Sequence, residues 1–263
     1  MSKRICRLGH DARHAVPFSP LFGGLITRSG VARALQKHGL TEVSMGANEF
    51  QVFSNGEVGR MHVLAHRLTD EARYELGHRF LGDWLEGRKG ADSDLVHMHW
   101  HMGVFELALE EWTAAYARFN EFILPAVERG EAATDAPAML WRLRLNAPRP
   151  VPLPWEVARK YALESLEFEA DDFVVLHDLL ALAGAGDVPN LDRWLHNQPP
   201  YGGAGAKVLP QLGRGLRAFA NEDYGHAATL LRVGMPHLAS IGGSDAQRHL
   251  FHQITDFAAD PHG

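Results

Sequence analysis

The fold is decided by the stretch VHMHWHMGVFELALEEWTAAYARFN, residues Val96–Asn120. It contains two segments with apolar residues at helical spacing, separated by a turn near Glu110. Small residues lie where the two helices would meet, with Gly103 in the first segment and Ala114 and Ala117 in the second. The stretch therefore predicts a pair of closely packed antiparallel helices, which is the unit of helical repeat proteins.

The spacing of histidines indicates that this unit is repeated. His62 and His66 are four residues apart, as are His97 and His101, and the second pair follows the first by 35 residues (97 minus 62). That offset is close to the roughly 34-residue period of tetratricopeptide helix pairs. A second stretch of the same kind, GLRAFANEDYGHAATLL at residues 215–231, carries a turn and paired alanines.

These patterns predict an all-α chain in two parts. Residues 56–260 are expected to form a right-handed α-solenoid of antiparallel, tetratricopeptide-like helix pairs. Residues 1–55 lack a sustained helical period and are expected to form an irregular N-terminal extension.

Composition excludes several classes of function. The 263 residues carry a formal net charge of -6, which disfavours nucleic acid as a partner. No apolar run is long enough for a membrane span, and the basic start lacks the apolar segment of a signal peptide, so a cytoplasmic protein is expected. Because Cys6 is the single cysteine, any metal site is expected to use the 16 histidines and the carboxylates.

Five segments, in this order, resemble the tetratricopeptide repeat protein 38 family. They are HVLAHRL, VHMHWHMGVFELALEEWTAAYARFN, DAPAMLWRLRL, FVVLHDLLALAGAGD and IGGSDAQRHLF, and together they span about Gly59 to Phe257. The resemblance implies a fold and not a reaction. In the last segment Asp245 precedes AQR and His249 follows it, the reverse of the order usual in the family.

The histidine pairs predict a shared site. Residues four apart lie on one face of a helix, so His97 and His101 point the same way and His99 points nearly opposite. His62 and His66 form an equivalent face one repeat earlier. Because the first helices of neighbouring repeats pack about 8–10 Å apart, the four imidazoles are expected to converge.

Three interpretations of this convergence stay open. The four histidines are the arrangement for a divalent metal such as zinc, although no HExxH motif is present. Metal-free acid–base catalysis lacks an evident nucleophile, since Ser244 is better explained as the cap of the helix that begins at Asp245. The third interpretation is that the histidines bind a ligand or neighbouring groups by hydrogen bonds alone.

The leading functional expectation is a protein that binds a peptide segment or a small polar molecule in a concave groove lined by histidine and tryptophan. The rival expectation is an enzyme that uses the histidines, with or without a divalent metal, on a small molecule. No catalytic residue is assigned, and the oligomeric state is not predicted. The candidate ligand-binding residues are His62, His66, His97, Trp100, His101, Trp141, Arg142, His177, Gln247 and Arg248, of which the metal alternative uses His62, His66, His97 and His101.

Overall fold

A computed structural model of the chain describes residues 57–88, 93–167, 171–197 and 205–261. These residues form helices and no strand, which confirms the all-α prediction. The predicted extension over residues 1–55 lies outside the described residues. The α-helices are α1 (Glu57–Asp70), α2 (Tyr74–Leu85), α3 (Ser93–Ala108), α4 (Trp112–Arg118), α5 (Leu124–Glu128), α6 (Asp135–Leu145), α7 (Trp155–Ser165), α8 (Asp172–Gly184), α9 (Val188–His196), α10 (Gly205–Ala220), α11 (Tyr224–Gly234) and α12 (Asp245–Ala259).

Two short segments of other helical type join these elements. A π-helical turn, Phe119–Ile123, connects α4 to α5 without a break, and a 3₁₀ segment, Met235–Ser240, follows α11. Within the described ranges, no helix combines the length and the apolar character that crossing a membrane requires.

Five of the turns between helices have the same conformation. In each, the second residue after the helix has a positive φ: 51° at Ala72, 63° at Glu110, 83° at Gly130, 71° at Gly186 and 61° at Glu222. The next amide donates to a carbonyl five residues back, as from Arg73 to Leu68 at 2.8 Å. This left-handed closure of a helix satisfies carbonyls that would otherwise lack a partner. The same type of turn therefore follows α1, α3, α5, α8 and α10.

The helices pack in a regular order. We call α1, α3, α6, α8 and α10 the first helices, and α2, α4, α7, α9 and α11 the second helices. Each first helix contacts the second helix that follows it and also the next first helix along the chain. Adjacent first helices therefore lie next to each other.

Packing between first helices depends on small residues where they approach closely. A Cβ atom on Gly103 of α3 would lie 2.8 Å from the terminal methyl of Met139 on α6, so a larger side chain there would force Met139 to move. The contact confirms that Gly103 is a site of close approach, but the neighbour is the next first helix. The largest fully buried side chains include Trp100 of α3 and Trp141 of α6.

The C-terminal helix α12 lies against the face of the first helices. It contacts α6 and α1 in addition to its sequence neighbour α11. Its start is fixed by a capping box in which the Ser244 hydroxyl accepts from the Gln247 amide and the Gln247 side chain accepts from the Ser244 amide. This confirms Ser244 as a helix cap. Helix α12 thus covers part of α1 and part of α6.

Candidate metal centre

The four histidines of the two i,i+4 pairs meet between α1 and α3. His62 and His66 lie on α1, His97 and His101 lie on α3, and these two first helices pack against each other. One ring nitrogen from each residue lies within 4.8 Å of the corresponding nitrogen of the other three. We call His62, His66, His97 and His101 the histidine cluster.

The nitrogens of the histidine cluster face one another. His62 Nε2 lies 2.9 Å from His97 Nε2 and 2.8 Å from His66 Nε2. A ring nitrogen carries either one proton or one lone pair, so His62 Nε2 cannot make a good hydrogen bond to both neighbours. Ligands at about 2.0–2.1 Å from a tetrahedral zinc ion are about 3.3 Å apart. To bind zinc, the two close pairs would move slightly apart, and the pairs nearer the 4.8 Å limit would move closer together.

A carboxylate binds the ring nitrogen of His97 that faces away from the cluster. His97 Nδ1 lies 2.9 Å from Oδ1 and 3.0 Å from Oδ2 of Asp135, which is 2% exposed at the start of α6. The Nδ1 proton donated to Asp135 leaves the Nε2 lone pair directed into the cluster. Burial opposes the charged imidazole, but the charge and hydrogen bond of Asp135, with Asp94 adding to them, outweigh it and raise the pKa of His97.

The other buried histidines of the cluster are held neutral. Burial, together with the charge of His97, lowers the pKa of His66 to about 3, against an opposing contribution from Asp245. Burial and the neighbouring imidazoles hold the pKa of His101 well below its ordinary value. Metal ions bind the neutral imidazole, so His66 and His101 are ready to act as ligands at neutral pH.

Several of these nitrogens have no hydrogen-bond partner in the described part of the chain. Both ring nitrogens of His101 and Nδ1 of His66 are buried without one, and His101 is 0% exposed. Buried polar atoms without a partner are rare because each carries its full desolvation cost. The two helices therefore enclose polar atoms that packing alone does not explain.

His99 points to the other side of α3, as its spacing predicts. Its Nδ1 lies 2.9 Å from Arg118 Nη1, its ring stacks on Phe122 with centroids 3.6 Å apart, and Arg118 also binds Glu106 at 2.6 Å. Burial and the charge of Arg118 lower the pKa of His99 to about 4. This group lies apart from the histidine cluster and joins α3 to α4.

Trp100 and Arg142 lie next to the histidine cluster. The Trp100 ring stacks on His97 with centroids 5.5 Å apart and meets His101 edge-on at 5.0 Å. The Arg142 guanidinium lies 5.1 Å from the centre of the Trp100 ring. Burial lowers the pKa of Arg142 to about 9, so the side chain is charged at neutral pH.

Trp141 and His177, also predicted as ligand-binding, lie in different surroundings. Trp141 packs against Trp155 and Phe219, and its Nε1 donates to the Leu180 carbonyl at 2.8 Å. Trp141 is therefore a core residue. Successive side chains on a helix point about 100° apart, so when Arg142 points towards the histidine cluster, Trp141 points away from it. His177 Nδ1 donates to the Phe173 carbonyl at 2.8 Å, and Asp135 and Arg142 are among the charges that act on it.

The predicted residues of α12 are occupied in shaping its first turn. Gln247 closes the capping box with Ser244. Arg248 donates to the Gly243 carbonyl and to Asp245. Neither residue has a contact with the histidine cluster among those the described residues show. The first turn of α12 contacts α6 through Ala246, whose carbonyl accepts a hydrogen bond from Arg142 Nη2 at 2.5 Å.

Asp135 is the functional candidate that sequence reasoning missed. An aspartate before a helical segment with a proline in its first turn, here Pro137, is typical of a helix cap. In the structure α6 begins at Asp135 itself, after Thr134, and the carboxylate turns towards His97. The available signal was the distance along the chain: Asp135 follows His97 by 38 residues, close to the 35-residue offset of the histidine pairs, and lies in the first turn of the next first helix.

The arrangement suits a first-row divalent metal. Four imidazoles, one oriented by a carboxylate, form a ligand set that favours zinc, copper or nickel over magnesium or calcium. Comparison of the chain with models of known protein families and with solved structures finds no match.

Proposed function

We propose that this protein binds one divalent transition metal, with zinc as the first expectation, through His62, His66, His97 and His101. The observation that carries the proposal is the meeting of His62 Nε2 with two other ring nitrogens at 2.8 and 2.9 Å. Without a cation these contacts compete for the same proton or lone pair, whereas a metal ion accepts all of the lone pairs at once.

Asp135 supports the same proposal. A ligating histidine usually donates its other N–H to a carboxylate, which fixes the tautomer and strengthens the ligand. The His97–Asp135 contact at 2.9 Å has this form, and the carboxylate is nearly fully buried. Asp135 would therefore orient His97 without touching the metal.

We further propose that the helix pairs form a right-handed, tetratricopeptide-like solenoid, as in the tetratricopeptide repeat protein 38 family that the sequence resembles. Turns of the same type join a first helix to the next second helix after α1, α3, α8 and α10, and this supports the proposal. So does the contact of each first helix with the next. In such a scaffold the metal centre would lie on the inner face, and a small polar molecule is the ligand class that we favour over a peptide, because α12 already covers part of that face.

The experiment is elemental analysis of the full chain, purified without an affinity tag and supplemented with zinc. We expect about one zinc ion per chain for a closed four-ligand site. His66→Ala should abolish binding, whereas His226→Ala, which removes an exposed histidine of α11, should leave the metal content unchanged.

A graded variant tests the role of Asp135 in the same assay. Asp135→Asn should weaken zinc affinity about 10- to 100-fold, the usual effect of removing the partner of a ligating histidine. Asp187→Asn is its control, because Asp187 is a buried carboxylate that binds Arg159 and Asn190 instead. Absence of zinc, cobalt, nickel and copper from the supplemented wild-type protein would refute the metal centre.

A further inference from the structure

Arg142 is a buried cation that lacks an anionic partner in the described residues. It is 3% exposed, and its hydrogen bonds go to the carbonyls of Ala138 at 2.9 Å and Ala246 at 2.5 Å. Two other partly buried arginines are paired with buried carboxylates, Arg118 with Glu106 and Arg159 with Asp187. A buried charge is normally compensated by an opposite charge, so Arg142 departs from that rule.

Two further donors beside Arg142 also lack an acceptor. Trp100 Nε1 is buried without a partner among the described residues, and its ring lies under the Arg142 guanidinium. His101, whose ring is 5.0 Å from that of Trp100, has no partner for either nitrogen. When one nitrogen of a neutral imidazole binds a metal, the other keeps its proton and is a donor. Metal binding therefore leaves the shortage of acceptors in place.

An oxyanion matches this shortage in both charge and hydrogen bonding. Carboxylate and phosphate oxygens accept hydrogen bonds and donate none, and guanidinium groups bind them in a forked geometry. The nearby carboxylates are engaged elsewhere: Asp135 binds His97, and Asp245 is exposed and pairs with Arg248. A water molecule would supply acceptors but would leave the charge of Arg142 uncompensated.

We propose that Arg142, Trp100 Nε1 and the free N–H of His101 bind a small oxyanion, a carboxylate or a phosphate, beside the metal centre. The proposal deepens the proposed function and rests on it for the role of His101. It assigns the substrate or ligand of this protein to small acidic molecules. Arg142 and Trp100 do not depend on the metal, so weaker binding of the same anions to the metal-free protein is expected.

The test is isothermal titration of the zinc-loaded full chain with acetate and, separately, with inorganic phosphate, at ionic strength held constant with sodium chloride. We expect one anion to bind per chain. Arg142→Gln should weaken binding at least about tenfold, as loss of hydrogen bonds to a charged group does, without changing the zinc content. Arg142→Lys should retain part of the affinity because it keeps the charge but not the fork.

Arg144→Gln is the matched control. Arg144 lies two residues further along α6, where its guanidinium stacks on Trp141 and Phe219, and its replacement should leave anion affinity unchanged. Trp100→Phe is a second variant that keeps an aromatic ring and removes only one donor, so it should weaken binding several-fold even if Arg142→Gln does not fold.

Two results would overturn the proposal: no binding of either anion to zinc-loaded wild-type protein up to tens of millimolar, or equal binding by the wild type and Arg142→Gln. The first would mean that ordered water alone fills the site. Failure of the metal centre is a separate outcome, because it is read from zinc content before any anion is added.

Discussion

Two tryptophans on adjacent first helices, Trp100 and Trp141, are equally buried but have very different surroundings. Trp100 of α3 and Trp141 of α6 are both 0% exposed. The Trp141 indole donates to the Leu180 carbonyl at 2.8 Å, whereas the Trp100 indole has no partner in the described residues. Trp141 belongs to a core in which its polar atom is hydrogen-bonded. Trp100 belongs to a region in which buried polar atoms have no partner in the described residues.

The surroundings of the two rings extend the contrast. Trp141 lies in an aromatic cluster with ring centroids 4.9 to 5.9 Å apart, formed by Trp141, Trp155, Phe219, Tyr224 and Phe257. Trp100 lies between a buried arginine and two histidines of the histidine cluster. Polar groups buried without partners lower stability and are retained where function requires them. The contrast therefore separates a part of the core whose polar groups are paired from the part in which we propose binding.

The largest expected effect comes from replacing a buried ligand with an apolar residue. In the metal-free protein His101→Leu should leave the free energy of unfolding unchanged or raise it by about 1–3 kcal/mol, because two buried nitrogens without partners are removed. In excess zinc the sign reverses, since wild-type protein gains about 4 kcal/mol at zinc about 1,000-fold above the dissociation constant and the variant does not. Urea denaturation with and without zinc measures both quantities.

Met102→Leu is the control for this variant. Met102 neighbours His101 in α3 and is buried, and exchanging it for leucine conserves volume, so zinc should stabilise this variant as it does the wild type. A metal-free His101→Leu protein less stable than the wild type by more than about 3 kcal/mol would show instead that His101 holds the fold together.

Sequence alone predicts the histidine cluster because two periods combine there. An i,i+4 spacing places His97 and His101 on one face, and a 35-residue offset places His62 and His66 opposite them. Both are regular spacings along the chain, so no knowledge of loops or of distant contacts is needed. The same reasoning predicts the helix pairs and directs His99 away from the cluster.

The features that the sequence does not predict depend on contacts that follow no regular spacing along the chain. Helix α12 packs on α6 and α1, and the contact between Arg142 and the Ala246 carbonyl joins residues 104 positions apart. No spacing indicates where a terminal helix will lie. Trp141 and Arg142 are adjacent in sequence, and only the packing of α6 decides which of them faces the cluster and which the core.

A smaller effect concerns how the free energy of unfolding depends on acid through His177. Burial lowers the pKa of His177 to about 4, with the charge of Arg142 in the same direction and Asp135, Asp171 and a backbone hydrogen bond opposing. Because this pKa lies below the unfolded value of 6.5, the unfolded chain takes up a proton first as the pH falls. His177 should therefore cost about 3 kcal/mol of stability between pH 6.5 and pH 4, and nothing above that window.

His177→Asn should remove this part of the acid dependence, since asparagine can still donate to the Phe173 carbonyl. The matched control is His196→Asn, because His196 makes the same contact to a carbonyl four residues back, that of Asp192 at 2.7 Å, but is exposed. Stability measured by urea denaturation from pH 7 to pH 4 should become flatter for the first variant alone. Parallel curves for wild type and His177→Asn would contradict the assignment.

The smallest effect returns to the two tryptophans. Trp141→Phe and Trp100→Phe remove the same atoms from equally buried sites, so the loss of packing should be similar. Only Trp141→Phe also removes a hydrogen bond, and it should be the more destabilising by about 1 kcal/mol in metal-free, anion-free buffer. Addition of zinc and phosphate should increase the loss of unfolding free energy caused by Trp100→Phe. It should not change the loss caused by Trp141→Phe. If Trp100→Phe were already the costlier change in plain buffer, the Trp100 N–H would have a partner in solution, and the contrast between the two tryptophans would fail.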